Sequence, residues 1–263
     1  MWKDGIIASE IIKVQGAAFL KESAFSRGST LQVMRVNAMP ISEEEIDAFQ
    51  EERLRMVENQ IIRRGVRDSQ VLSAMGATPR HLFVAEGWRP EAYADHPLPI
   101  ACDQTISQPY IVAAMTEMLR LHPGGTVLEI GTGSGYQAAI LAGIARKVIS
   151  IERHPMLAKQ AEALLVELGY ANVFVIVGDG SLGCPEEAPY DGIVVTAGTP
   201  HVPPALLPQL SEGGRLVVPV GNSQVQTLFT VVRHGDRYSR EEGMSCRFVP
   251  LVGAQGWNSE QAE

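Results

Sequence analysis

Strand and helix signals alternate over residues 126–219, a run of glycines follows the first of these strands, and two further strand-like runs come after Pro219. Together they predict an α/β fold: a Rossmann-like doubly wound sheet, mostly parallel, with an antiparallel C-terminal hairpin and a group of helices ahead of it. The 263 residues are 45% hydrophobic and 20% charged, which suits a globular protein with a large core.

The helical part begins with Ser42 and Glu45, spaced as a capping box. Ile46, Phe49, Leu54, Val57 and Ile61 recur at helical spacing up to Gly65, a C-terminal stop. Asp68 can cap a second short helix, Ser69–Met75, and Pro79–Val84 reads as a third. Residues 85–104 read as a loop rich in Pro, Gly and Asp. Ser107 stands where a cap would, and Pro109 suits the first turn of the helix that carries Ile111, Val112, Met115 and Leu119. His122-Pro-Gly-Gly ends that helix.

Strands are then expected at 126–131, 147–152, 173–177, 191–196 and 214–219, and helices at 136–145, 155–168 and 203–210. Gln226–Arg233 and Tyr238–Phe248 form the hairpin, turning at His234-Gly-Asp. Residues 1–38 show no clean period and read as a poorly ordered extension, with Met39 a candidate start. Residues 39–263 read as a single domain: a helical part (39–125), a cofactor-binding core (126–221), and a hairpin with its tail (222–263).

Composition narrows the function. A net charge of −8 argues against sequence-independent nucleic-acid binding, which needs a basic face. Cys102, Cys184 and Cys246 are odd in number and far apart, so neither a disulfide framework nor a zinc site is suggested. His96, His154 and His201 show no metal-ligand spacing and read as surface or loop residues; no metal is expected. No apolar run approaches the ~20 residues of a membrane span. No secretory signal stands out, because charged residues interrupt the N-terminal apolar stretch. A cytoplasmic protein without a membrane partner is the expectation.

The glycine turn narrows it further. Gly131-Thr132-Gly133-Ser134-Gly135 departs from the dinucleotide fingerprint Gly-x-Gly-x-x-Gly, since its third glycine comes one residue early. Glu129 lies in the strand just before the turn, where a carboxylate would repel a pyrophosphate and suit an ammonium. That favours S-adenosylmethionine, which has no phosphate, over NAD. Glu152 ends the second strand about 20 residues on, where an acid accepts bonds from ribose hydroxyls. Asp179 and Gly180 follow the third strand, and Asp179 offers an acceptor for the adenine amine. Each residue alone is an ordinary cap, turn or solvated acid. Three elements at the ends of three successive strands make a methyltransferase-type site.

Longer segments then match one family. Asp103-Gln-Thr-Ile-Ser-Gln-Pro109, Val127–Tyr136, Gly178-Asp-Gly180, Tyr190–Ala197, Pro203–Leu210, Gly213–Gly221 and Phe248-Val-Pro-Leu251, with Arg80–Val84 upstream, stand in family order. Over about residues 40–252 the chain resembles the protein-L-isoaspartate O-methyltransferases, class I enzymes dependent on S-adenosylmethionine. The resemblance implies methylation of the free α-carboxylate of L-isoaspartyl residues in damaged proteins and peptides, after which succinimide closure and reopening restore part of the aspartate. It implies that Thr105, Ile106 and Ser107 line the isoaspartyl pocket, with Ser107 the active-site serine, orienting the carboxylate and not attacking. It also implies that Val249 and Pro250, with Leu251, close over the peptide. Some family members carry a His where this chain has Val112, so no His contact to the donor is expected there.

Two other readings remain. The same fold could act on a small molecule or nucleic acid, which Asp103–Pro109 and the charge oppose. A non-catalytic donor-binding homologue is opposed by the intact donor elements and Ser107.

Overall fold

The computed structural model describes residues 41–258. The extension expected over 1–38 and the candidate start at Met39 lie outside them. One compact unit spans Pro40–Glu263.

The N-terminal helices are α1 (Glu43–Asp47), α2 (Gln50–Met56) and α3 (Ser69–Ala77). The capping box at Ser42 forms, with Glu45 N–H on Ser42 Oγ at 3.1 Å and Ser42 N–H on Glu45 Oε2 at 3.2 Å. The single long helix expected up to Gly65 does not. It breaks at Phe49, whose φ is 89°, and a π turn (Val57–Ile61) and a 3₁₀ turn (Ile62–Arg64) follow α2. The break has a tertiary cause. His81 Nε2–H donates to Glu45 O at 2.7 Å, capturing a carbonyl the helix would use, and the Phe49 ring packs 5.0 Å from the His81 ring. The break also re-phases the apolar stripe: Leu54, expected on the buried face, is 54% exposed, while Arg53 and Met56 are buried.

Two short strands, β1 (Leu98–Pro99) and β2 (Thr105–Ile106), pair antiparallel within the segment expected to be a loop and the start of the next helix. Helix α4 (Pro109–Leu119) follows. Its cap is Gln108, not Ser107, and Pro109 takes the first helical position. The expected cap role of Ser107 is therefore overturned.

The main sheet has seven strands: β3 (Thr126–Ile130), β4 (Lys147–Glu152), β5 (Val173–Val177), β6 (Tyr190–Val195), β7 (Leu210–Gly221), β8 (Gln226–His234) and β9 (Arg237–Cys246). Their order is β5-β4-β3-β6-β7-β8-β9. The first five run parallel, and β7–β8–β9 is an antiparallel meander. Helices α5 (Tyr136–Ala142) and α6 (Pro155–Glu167) make the first two crossovers. Since β3 is flanked by β4 and by β6, the strand order reverses there, and the carboxyl ends of β3 and β6 diverge into a crevice.

Alternation along each strand sends residues to two cores. Val127, Val148, Val194 and Val217 face the layer that holds α3 to α6. Leu128, Ile130, Ile149, Ile151, Ile193 and Val195 face a thinner layer containing Leu206 and Leu251. The helix expected over 203–210 is a 3₁₀ turn, Pro204–Gln209. Pro208, inside the segment, lacks the N–H an α-helix would bond back to Pro204 O, which accounts for the shorter form. This face is thinly covered, and on the edge strand β5 Phe174 is left 50% exposed.

Candidate active site

The crevice at the carboxyl ends of β3, β4 and β6 is a cleft of about 770 Å³, counting its open mouth. Its walls come from four places. Ile130 to Ser134 form the glycine turn, Ile151 to His154 the end of β4, Gln104 to Ser107 the β2 arm of the small hairpin, and Val249 to Val252 the closing segment. Gly180, Thr196 and Ala197, with Val112, Tyr136 and Gln137 from α4 and α5, complete them.

The turn is shaped by close approach. Gly131 has φ 98°, and a Cβ there would overlap Thr196 Oγ1. Only glycine satisfies both conditions. The Thr196 hydroxyl lies 2.9 Å from Ile130 O and 2.6 Å from Gly131 O, so it clamps the carbonyls leading into the turn. Gly133 N–H donates to Glu152 Oε2 at 2.9 Å, and His154 N–H to Glu152 Oε1 at 2.9 Å. Each oxygen keeps a second lone pair, so the carboxylate is fixed and can still accept. Glu152 is only 4% exposed.

Glu129 is fully buried and does not itself form the cleft wall. Burial pushes its carboxyl up to about 8; the Ser150 hydroxyl bond opposes the shift and the Glu152 charge adds to it. Glu129 Oε2 accepts from Ser150 Oγ, while Oε1 has no partner among the described residues. Gly135 also lies behind the wall, at the cap of α5.

Asp179 is likewise behind the wall, which Gly180 forms in its place. Asp179 Oδ1 accepts from Ser181 N–H (2.9 Å) and Ser181 Oγ (2.7 Å), and Oδ2 from Ala254 N–H (2.7 Å). Burial alone would raise its pKa, but these bonds outweigh it and hold the carboxyl below its ordinary value. Gln255 N–H donates to Ser181 Oγ at 2.9 Å, so the 179–181 turn pins the C-terminal segment. A second pin is Gly198, whose N–H donates to Val249 O and whose carbonyl accepts from Leu251 N–H, both at 2.8 Å. These bonds set Val249 and Pro250 on the cleft wall.

Thr105, Ile106 and Ser107 reach the cleft because β2 pairs with β1 through a tight turn in which Cys102 and Asp103 both have positive φ (58° and 56°). Ser107 is half-buried, and its hydroxyl makes no hydrogen bond among the described residues. Several wall residues were not singled out from sequence. His154, read as an ordinary surface or loop residue, caps α6 and lines the cleft, whereas His96 and His201 are exposed. Thr196 had a visible signal, since it directly follows β6, the strand beside the one that leads into the glycine turn. Val112 and Gln137 come from helices, where an inward face does not distinguish core from cleft.

These residues suit a nucleoside that carries a positive charge and no phosphate. The turn carries no side chain at Gly131 or Gly133, one buried carboxylate oxygen behind it lacks a partner among the described residues, and a second carboxylate, Glu152, lines the same cleft at the end of the next strand. Among the described residues no group of three or more His, Cys, Asp or Glu could hold a metal, and no helix is long and apolar enough to cross a membrane.

Fold and cleft together define an S-adenosylmethionine-dependent methyltransferase of class I. The model of the protein-L-isoaspartate(D-aspartate) O-methyltransferase family matches residues 51–256, and the chain belongs to that family. The protein-L-isoaspartate O-methyltransferase 1 of Syntrophobacter fumaroxidans is 56% identical over 209 residues, 80% of this chain and 98% of that one. Enzyme 2 of Pelobacter propionicus is 58% identical over 204 residues, covering 77% and 91%. A solved protein-L-isoaspartate O-methyltransferase superposes with TM-score 0.71 at 31% identity, over 79% of this chain and 67% of that one. A Plasmodium falciparum structure of the same description, holding S-adenosyl-L-homocysteine, gives TM-score 0.66 at 25% identity over 76% and 98%.

Proposed function

We propose that this cleft transfers a methyl group from S-adenosylmethionine to the free α-carboxylate of L-isoaspartyl residues in proteins and peptides, the first step of their repair. One observation carries the reading. The glycine turn with Glu152 and the Thr105–Ser107 arm with Val249–Pro250 line a single cleft, so donor and acceptor can meet in it.

S-adenosylmethionine supplies a methyl group made electrophilic by its sulfonium. The acceptor carboxylate is already ionised at neutral pH, its reference pKa being about 4, so no general base is needed. The protein's work is placement and exclusion of water. Glu152 holds the ribose hydroxyls, Gly131 to Ser134 admit the methionine end, and Gly180 allows the adenine against the sheet. Ser107, freed from capping, donates its hydroxyl to the acceptor carboxylate or the adjacent peptide. Val249 and Pro250 offer backbone groups to the substrate chain. Attack joins an anion to a cation and cancels both charges, so a partly dry cleft favours it. Asp179 acts on the donor indirectly, by holding Ala254 and the closing segment. The catalytic unit is residues 39–263, its substrates are isoaspartyl proteins and peptides, and its location is the cytoplasm.

The test is methylation of an isoaspartyl peptide with methyl-labelled donor. Label should appear as a base-labile ester, followed by succinimide. Folded protein that binds donor and labels no isoaspartyl peptide would overturn the reading.

A further inference from the structure

Behind the glycine turn lies a buried chain of three polar side chains. Strand pairing sets Glu129 on β3 directly beside Ser150 on β4. Ser150 Oγ donates to Glu129 Oε2, and Ser150 Oγ and Thr132 Oγ1 are 2.6 Å apart. Thr132 is the end that reaches the cleft wall. All three are buried, Thr132 being 3% exposed and the other two 0%. A serine here interrupts an otherwise apolar strand, Val148-Ile-Ser-Ile151, so its polarity calls for a reason beyond packing.

Proton counting gives the chain a direction. In its ionised form, which a cation in the cleft favours, Glu129 only accepts. Ser150 has one hydroxyl hydrogen and spends it on Glu129, so it must accept from Thr132. Thr132 in turn has one hydrogen, now committed inward. Its hydroxyl therefore presents only lone pairs to the cleft, polarised by the negative charge at the far end of the chain. A group with N–H donors and positive charge matches that surface. A cation placed there also favours the ionised form of Glu129, which sustains the direction. Glu152, the other carboxylate acting on Glu129, is held by Gly133 and His154 at the end of β4.

We infer that Thr132 Oγ1 accepts a hydrogen bond from the α-ammonium of the methyl donor, and that Ser150 is the positioning residue that turns the Thr132 hydroxyl into an obligate acceptor. This rests on the donor reading above and adds to it a residue that selects the ammonium. Ser150 touches no substrate; it acts through Thr132.

The experiment is calorimetric titration of the full chain with S-adenosylhomocysteine and with its analogue lacking the α-amino group. Ser150→Ala should weaken S-adenosylhomocysteine by roughly tenfold, the scale of one hydrogen bond to a charged group. The deaminated analogue should change by less than about twofold, because its binding never used the chain. Ser150→Thr keeps a hydroxyl and should restore affinity. If Ser150→Ala does not fold, Thr132→Val carries the same test, with Thr132→Ser as its rescue. Equal weakening of both ligands would make the chain merely structural and overturn the inference, as would no weakening of either. Wild-type protein that binds neither ligand would instead overturn the donor reading itself.

Discussion

The two halves of the cleft are built differently. The donor half is made of strand ends in a parallel sheet, and its polar groups are buried and held before any ligand arrives: Glu152 by two backbone N–H groups, Thr132 by Ser150. The acceptor half is made of a two-residue strand, the residue after it and a C-terminal segment. Thr105 is exposed, and Ser107, Val249 and Pro250 are half-buried. The lesson is a division of labour. The sheet holds the side proposed for the methyl donor rigidly, while secondary connections set beside it form the side proposed for the acceptor.

Substitutions can break that division. Glu152→Ala should have the largest effect, because it removes a charged acceptor and leaves Gly133 N–H without its partner. Donor Kd should rise by roughly ten- to a hundredfold, measured by calorimetry, with a smaller change in kcat at saturating donor. Ser107→Ala should show the reverse pattern: kcat falling several-fold, roughly five to ten, with donor Kd within about twofold. An unchanged kcat would remove Ser107 from the acceptor half. Asp179→Ala bridges the halves, since Asp179 holds Ala254 and Ser181 at once. Both donor Kd and peptide KM should rise a few-fold, on the scale of about 1 kcal/mol each; a rise in donor Kd alone would point to a direct adenine contact.

A further prediction concerns stability and needs no ligand. Burial raises the Glu129 carboxyl to about 8 in the folded, ligand-free protein, from 4.5. Between those values the unfolded chain has lost a proton that the folded one keeps, so this group's contribution is full below pH 4.5, declines as pH rises, and is gone above about pH 8. The slope is at most about 1.4 kcal/mol per pH unit. Thermal melts from pH 5 to pH 8 should fall less steeply for Glu129→Gln than for wild type. Parallel slopes would show that Glu129 is not held protonated.

The same division explains what the sequence disclosed. Residues 126–180 were legible because parallel strands end in chain order along one edge, so Gly131, Glu152 and Gly180 could be set side by side from spacing alone. For Asp179 spacing did not show that the turn faces Gly180 to the cleft while Asp179 accepts from Ala254, a partner 75 residues away. Ser107 was misread as a cap although Pro109 held the correction, since a proline in the first helical position makes Gln108 the cap. The break at Phe49 had no local signal, because it depends on His81 arriving from a later segment. The Glu129–Ser150–Thr132 chain needed the β3–β4 register, which spacing along either strand does not supply.

The measurement closest to the central claim is the ratio of kcat/KM for an L-isoaspartyl peptide over its aspartyl twin, using the full chain with S-adenosylmethionine at saturation. The two peptides share every side-chain flank and differ only in which carboxylate is free beside Thr105–Ser107. The account predicts a ratio of at least roughly a hundredfold, corresponding to about 2.7 kcal/mol in transition-state binding. Equal values for the two peptides would contradict it.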